Sequence, residues 1–172
     1  MNITRRTHHW SKSITAEAPD ATDRLRAEVE PCGQTTILHV RGIVDAFTLT
    51  RWQQALESAI DMTAIEGGQH VIVDLTKVEF LSLRTIFALA ELTRHGRRRG
   101  VTISVVEARP YAVTGRVVEV TGLTDWLPVY PALVDALTAA RSDRTAAARA
   151  AQQIRPQPTT AATLRTAATT LS

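Results

Sequence analysis

The sequence predicts an α/β fold, in which a mixed sheet of strands is covered by helices. Short β-branched runs alternate along the chain with stretches whose apolar residues recur every three or four positions. Residues 71–75 read Val-Ile-Val-Asp-Leu, which is typical of a strand buried on both faces and therefore requires helices packed on the sheet. The expected element order is β-β-α-β-α-β-α-α, within one domain at residues 22–140.

The first two elements are predicted to form a hairpin. Residues 26–30 and 36–40 have the composition of strands, and the turn-forming segment Pro31-Cys32-Gly33-Gln34 lies between them. Gly42 follows the second apolar run. We therefore expect Gly42 to end the second strand.

A helix and the central strand are expected next. Asp45 or Thr48 can cap the helix, which should stop before Gly67-Gly68. Residues 71–75 form the central strand, and residues 78–81 extend it toward the following helix. The apolar residues that give the first helix its period are Leu49, Trp52, Leu56 and Ile60.

The second half of the domain repeats the alternation of helix and strand. A helix that contains Ile86 runs into His95-Gly96, and residues 101–106 form another buried strand. Residues 110–120 fit a short helix that Gly122 terminates. Residues 126–129 supply an apolar connection, and residues 131–140 form the last helix, with Pro131 near its first turn.

Both ends of the chain differ in composition from the part between them. Residues 1–21 mix charged, polar and His side chains without an apolar period, and we expect a disordered lead-in. Residues 141–172 are rich in Ala, Thr and Arg, and Pro156 and Pro158 break any long helix. We therefore expect a disordered tail, or a helix only near residues 146–152.

The distribution of charge argues against direct DNA binding. The chain has 20 basic and 17 acidic side chains, but residues 22–140 hold only twelve basic and fourteen acidic ones. The net positive charge thus comes from the two ends, and the run Arg97-Arg98-Arg99 lacks interleaved aromatic residues. No apolar run reaches the roughly 18 residues of a membrane span. We expect a cytoplasmic protein without membrane insertion.

No catalytic, cofactor or metal site stands out in the sequence. Cys32 is the only cysteine, which leaves no thiolate pair for zinc and no internal disulfide. Asp45 and Asp74 are interpreted as structural, because the first lies at a capping position and the second within a strand. The glycine pattern of phosphate-binding loops is absent. These features favour a binding module over an enzyme, with no cofactor.

Three segments resemble, in their order and spacing, the signatures of one family. Residues 42–45 read Gly-Ile-Val-Asp, similar to a Gly-Glu-Leu-Asp signature after a second strand. Residues 73–81 resemble the central strand and residues 121–130 the C-terminal segment of the same family. That family is the STAS family, found in sulfate transporters and bacterial anti-sigma factor antagonists. The resemblance covers about residues 25–140 and implies a STAS-type mixed sheet covered by helices.

The segment Ser82-Leu83-Arg84-Thr85 departs from the family motif at every position. Antagonists of this family carry Asp-Ser-Ser-Gly or Asp-Ser-Thr-Gly there, and the first serine accepts phosphate. The resemblance places Leu83 at that position, so no phosphorylation is expected at the family site. Ser82 is a shifted candidate, although capping of the next helix is its favoured role. Arg84 is interpreted as a side chain in solvent, with anion binding as the alternative.

The resemblance implies a non-catalytic regulator that docks on an anti-sigma factor, of the histidine-kinase-like ATPase type. The residues expected to bind this partner are Ser82, Leu83, Arg84, Thr85 and Asp45, with Leu83 offering an apolar contact in place of a switchable one. The alternative function is an accessory subunit of a membrane transporter, of the ABC or sulfate-transporter type. The sequence leaves open whether the domain forms a homodimer.

Overall fold

The computed structural model describes residues 24–108 and 113–154 of the chain, and it has an α/β architecture. The predicted lead-in at residues 1–21 lies outside the described residues. The strands are β1 (Leu25–Cys32), β2 (Thr35–Val44), β3 (His70–Leu81), β4 (Thr102–Val106) and β5 (Val129–Tyr130). The helices are α1 (Leu49–Ile65), α2 (Leu83–Arg98), α3 (Val113–Val120) and α4 (Leu133–Ile154).

The five strands form one mixed sheet in the order β1-β2-β3-β4-β5. Strand β1 is antiparallel to β2, whereas every other neighbouring pair is parallel. The hairpin between β1 and β2 turns at Gly33, whose positive φ of 65° suits a residue without Cβ. Parallel strands require crossover connections, and α1, α2 and α3 provide them. The predicted fold class and the predicted hairpin are confirmed.

Helices cover both faces of the sheet, although unequally. The larger core lies on the face covered by α1, α2 and α3, where the indole of Trp52 is fully buried. The smaller core lies on the opposite face, where α4 packs on the sheet. None of the helices in the two described ranges is long and apolar enough to cross a bilayer. The smaller core consists of Ile72, Val106 and Ala136, with Tyr130, Leu133 and Leu137 packed against it.

Gly42 does not end β2, contrary to expectation. The strand continues to Val44, and its pairing with β3 shifts register between Gly42 and Ile43. Gly42 has a φ of 95°, and a Cβ there would lie 2.2 Å from the backbone oxygen of Arg24. Gly42 therefore permits the register shift within the strand, because only a residue without a side chain fits both the positive φ and the close approach of the Arg24 backbone.

The connection predicted at residues 126–129 contains the start of a fifth strand. Val129 and Tyr130 pair in parallel with Val105 and Val106, which makes β5 an edge of the sheet. A strand of two residues has no periodicity of its own, so the sequence pattern could not indicate it. The predicted helix at residues 110–120 is present as α3, and residues 109–112 lie outside the described residues.

The last helix is longer than predicted. It begins at Leu133 and continues past residue 140 to Ile154, so the start of the segment expected to be disordered is helical. Alanine has the highest helix propensity, and the Ala-rich run at residues 146–151 can extend the helix without burying apolar side chains. Residues 155–172, which include the remainder of the predicted tail, lie outside the described residues.

Candidate partner-binding surface

The junction between β3 and α2 is built around Ser82, which is the N-cap of the helix. Ser82 has extended backbone angles, with φ −78° and ψ 152°, and its Oγ accepts a hydrogen bond from the Thr85 backbone N–H at 3.4 Å. The two hydroxyl oxygens of Ser82 and Thr85 lie 2.7 Å apart. A capping side chain satisfies one of the free N–H groups at a helix start. The predicted capping role of Ser82 is confirmed.

The same junction is anchored on the end of β2. The Ser82 backbone N–H donates to the Val44 carbonyl at 2.9 Å, and the Thr85 hydroxyl donates to the same oxygen at 3.3 Å. Thr85 is fully buried. Its hydroxyl therefore joins the helix to the neighbouring strand and is not presented to solvent.

Asp45 follows Val44 directly, so all five predicted binding residues lie at one end of the sheet. The Asp45 Oδ1 accepts hydrogen bonds from the backbone N–H groups of Phe47 and Thr48, at 2.9 and 3.2 Å. Its Oδ2 pairs with the Arg24 guanidinium at 2.7 Å. Asp45 thus fixes the loop after β2, and Thr48, the N-cap residue of α1, makes no side-chain capping bond.

The electrostatics of this loop keep Asp45 ionised. Burial opposes ionisation, but the backbone N–H groups of Phe47 and Thr48, and then Arg24, outweigh it and hold the pKa of the carboxyl below its ordinary value of 3.8. The guanidinium of Arg24 also lies over the Phe47 ring, 5.5 Å from its centroid. Asp45 consequently holds Phe47 in place, and both of its carboxylate oxygens already have hydrogen-bonding partners within the loop and in Arg24.

Four large apolar side chains are exposed at this end of the molecule, and we call them the docking surface: Phe47, Phe80, Leu83 and Phe87. Their exposed fractions are 80%, 55%, 55% and 51%. Leu83 and Phe87 are four residues apart on α2, so they lie on one side of the helix. Because Val44 and Leu81 are partners in the parallel pair β2/β3, the segments that carry Phe47 and Phe80 meet at the same edge. Exposed apolar clusters of this kind mark interaction sites.

Sequence reasoning identified Leu83 but missed the three phenylalanines. A helical projection would have shown Phe87, because the buried face of α2 carries Ile86, Leu89 and Leu92 and leaves Leu83 and Phe87 outside it. Phe80 and Phe47 gave no such signal. Their exposure depends on how β3 ends and on the loop held by Asp45, which are properties of the folded chain.

Arg84 adds positive charge beside the docking surface. Its side chain is exposed, and it has no hydrogen bond or ion pair with another residue of the described ranges. This agrees with the interpretation of Arg84 as a side chain in solvent. A partner that covers Leu83 would therefore meet a cation at the rim of the apolar contact.

The other charged candidates serve the fold. The carboxylate of Asp74 accepts hydrogen bonds from the Thr76 backbone N–H and hydroxyl, at 3.0 and 2.6 Å, and its Oδ2 lies 2.9 Å from His39 Nδ1. The Arg97 guanidinium donates to the Asp125 carbonyl at 2.6 Å and stacks on Trp126, and Arg99 pairs with Asp61. Within residues 24–108 and 113–154, no three metal-ligating side chains are grouped for an ion.

Comparison with known proteins places the chain beside a group of bacterial regulators. The STAS domain model matches residues 26–136. RsfA of Mycobacterium tuberculosis, named an anti-sigma-F factor antagonist, is 30% identical over 118 residues, which are 69% of this chain and 89% of that protein. Rv2638 of the same species, provisionally named an anti-anti-sigma factor, is 29% identical over 130 residues, which are 76% of this chain and 85% of that protein.

A solved structure of a protein with the same kind of name is also similar to this chain. The crystal structure of an anti-sigma factor antagonist from Mycobacterium paratuberculosis has a TM-score of 0.58 and 30% sequence identity to this chain. The match covers 72% of this chain and 97% of that one. Residues 26–136, which the STAS domain model matches, include the junction at Ser82 and the four residues of the docking surface.

Proposed function

Since this chain belongs to the STAS domain family, we propose that it is an anti-sigma factor antagonist, a non-catalytic protein that binds an anti-sigma factor and thereby frees a sigma factor. Its relatives RsfA and the M. paratuberculosis protein carry that description. We further propose that the partner is of the histidine-kinase-like ATPase type and that binding takes place in the cytoplasm. The mechanism is competitive occupancy of the anti-sigma factor.

The observation that carries this proposal is the exposure of Leu83 within an apolar surface. Leu83 is 55% exposed at the start of α2, and the sequence resemblance aligns it with the phosphate-accepting serine of the family motif. Phe80, three residues before it, and Phe87, one turn after it on α2, are exposed as well. Burial of such side chains gives about 25 cal/mol for each Å² removed from water. The surface therefore favours a protein partner with an apolar contact.

The same geometry supports binding without a serine phosphoswitch. Leu83 has no hydroxyl, the Ser82 hydroxyl is engaged with Thr85, and the Thr85 hydroxyl is buried. A phosphate would add about −1.5 to −2 charges, which would disfavour an apolar interface. We propose that the antagonist remains active where a phosphorylated relative would be released.

The first test is to find the partner and measure the affinity of two matched variants. Affinity capture of the tagged protein from its native cells, with and without ATP, identifies an anti-sigma factor by mass spectrometry. Calorimetry then compares the wild type with Leu83→Asp, which we expect to weaken binding by about tenfold or more, since a hot-spot side chain at the centre of an interface contributes about 2 kcal/mol or more. The control is Ile65→Asp, which places the same charge on an 84% exposed side chain at the end of α1.

Two results would contradict the proposal. One is an unchanged dissociation constant for Leu83→Asp, because the docking surface would then not be the contact. The other is capture of transporter subunits in place of an anti-sigma factor, which would favour the accessory-subunit function. The relatives reported above give that alternative no additional support.

A further inference from the structure

Strand β1 is an edge of the sheet that carries an unusual charge pattern. It pairs with β2 on one side, and no other strand of the described residues lies along its outer side. The side chains of Arg26, Glu28, Val29 and Glu30 are exposed. An edge strand presents unpaired backbone N–H and C=O groups, which can pair with another chain. Its side chains decide whether that chain can be a second copy.

The sign of the charge reverses about Ala27. Successive side chains of a strand point to opposite faces, so Arg26 and Glu28 share one face, and Leu25, Ala27 and Val29 share the other. The second face is the one on which α1 packs, because Leu25 belongs to the larger core and Ala27 packs against it. The strand thus has one charged and one apolar face. When a second copy runs antiparallel to it, centred on Ala27, charges of opposite sign face each other on the first face, and apolar side chains face each other on the second.

We propose that two copies of this chain associate through β1, antiparallel, with Ala27 opposite Ala27 of the second copy. In this register Arg26 faces Glu28 of the second copy, twice by symmetry, and Leu25 faces Val29 of the second copy. Opposite charges directly across an antiparallel pair are stabilising, and like charges are destabilising. The sheets of the two copies then form one continuous sheet.

The neighbouring registers are less favourable. Centring the pair on Arg26 places two arginines opposite each other, and centring it on Glu28 places two glutamates opposite each other. Charged residues on edge strands commonly prevent two sheets from pairing edge to edge, because like charges on the two strands repel each other. Of these three registers, only the one centred on Ala27 pairs opposite charges without also placing two like charges opposite each other.

Contacts within each copy are compatible with this arrangement. The Arg41 guanidinium of β2 lies 3.2 Å from the Glu28 carboxylate, and both side chains are exposed. Glu28 would therefore lie between Arg41 of its own copy and Arg26 of the second copy. Pro31, which lacks an N–H, lies beyond the paired residues 25–29.

The arrangement leaves the docking surface free in both copies. The docking surface lies where β2 and β3 end, and none of its four residues belongs to β1. An antiparallel pair of β1 strands reverses the direction of β2 between the copies. The two docking surfaces would therefore point to opposite ends of the dimer.

A charge-exchange series tests the proposal by sedimentation of the full chain over about a hundredfold range of concentration at low salt. The wild type is expected to dimerise, and Arg26→Glu and Glu28→Arg are each expected to weaken the dimer by about tenfold or more. The double variant, Arg26→Glu with Glu28→Arg, should regain most of the lost affinity. A wild type that stays monomeric, or a dimer that Arg26→Glu leaves unchanged, would overturn the proposal.

Disulfide cross-linking tests the register separately. In a Cys32→Ser background, Ala27→Cys should give a covalent dimer under mild oxidation. The Cα atoms of the two copies of residue 27 would be about one strand spacing apart, roughly 5 Å, which lies within the range of about 4.4–6.8 Å that a disulfide spans. Val29→Cys is the matched control, since the two copies of residue 29 would be roughly 14 Å apart. Equal cross-linking of the two variants would reject this register.

Discussion

At the residue scale, Ser82 combines a structural role with a position that the sequence resemblance aligns with the regulatory motif of the family. Ser82→Ala should lower the free energy of unfolding by about 1 kcal/mol, because the Thr85 N–H loses its side-chain acceptor and the Thr85 hydroxyl loses its partner at the start of α2. Ser82→Asp should retain most of the stability, since a carboxylate also caps a helix and complements its dipole. Urea denaturation measures both changes. Equal stability of Ser82→Ala and the wild type would show that the cap contributes nothing.

Two histidines of the described residues should titrate on opposite sides of the ordinary histidine pKa of 6.5. Burial opposes protonation of His39, but its hydrogen bonds to Glu30 and Asp74, at 2.9 Å each, outweigh burial and raise its pKa. Burial lowers the pKa of His70, which is 4% exposed and lies 3.0 Å from the Ser104 hydroxyl. NMR titration of the ring protons would show the order, and a His70 pKa above that of His39 would contradict it.

These shifts fix the sign of the pH dependence of stability. The folded state holds the His39 proton more tightly than the unfolded state, so its contribution is complete below pH 6.5 and is lost as pH rises through the folded pKa. His70 behaves oppositely, and its contribution is lost as pH falls from 6.5 through its folded pKa. In urea denaturation, His39→Gln should flatten the decline above pH 6.5, and His70→Gln the decline below it.

At the scale of elements, the end of β2 depends on Gly42. Gly42→Ala should cost more than about 2 kcal/mol of stability, because a Cβ would lie 2.2 Å from the Arg24 backbone oxygen at a φ of 95°. The matched control is Gly115→Ala in α3, where a Cβ meets no atom within 4 Å, and this change should be neutral or stabilising. Thermal denaturation compares the two variants. Similar melting temperatures would show that β2 adjusts without cost.

Periodic elements were predictable from the sequence, and elements fixed by tertiary pairing were not. The repeat of Trp52, Leu56 and Ile60 identified α1, and the β-branched run at residues 71–75 identified β3. Strand β5 exists only because it pairs with β4, and α4 continues past residue 140 through helix propensity without a buried face. The capping of α2 by Ser82 was predictable because it is a local interaction.

At the scale of the whole molecule, the sheet brings distant parts of the sequence to one surface. Phe47 and Leu83 are far apart in the chain, but β2 and β3 are parallel neighbours, so the loops after them leave the same edge. In α/β sheets this edge commonly carries binding residues. The sequence predicted Leu83 from a motif, whereas the phenylalanines around it required the strand order, which has no local signature.

The arrangement of hydroxyl groups at this edge predicts how the whole protein responds to ATP. Incubation with a captured kinase-like anti-sigma factor and ATP should leave the intact mass of this protein unchanged and its affinity within about twofold. The reason is that the two hydroxyls nearest Leu83 in sequence, those of Ser82 and Thr85, are hydrogen-bonded to each other and that of Thr85 is buried. Leu83→Ser restores a hydroxyl at the family position and should gain one phosphate and lose affinity with ATP. Phosphorylation and release of the wild type would instead mean that the bond between Ser82 and Thr85 opens in the complex.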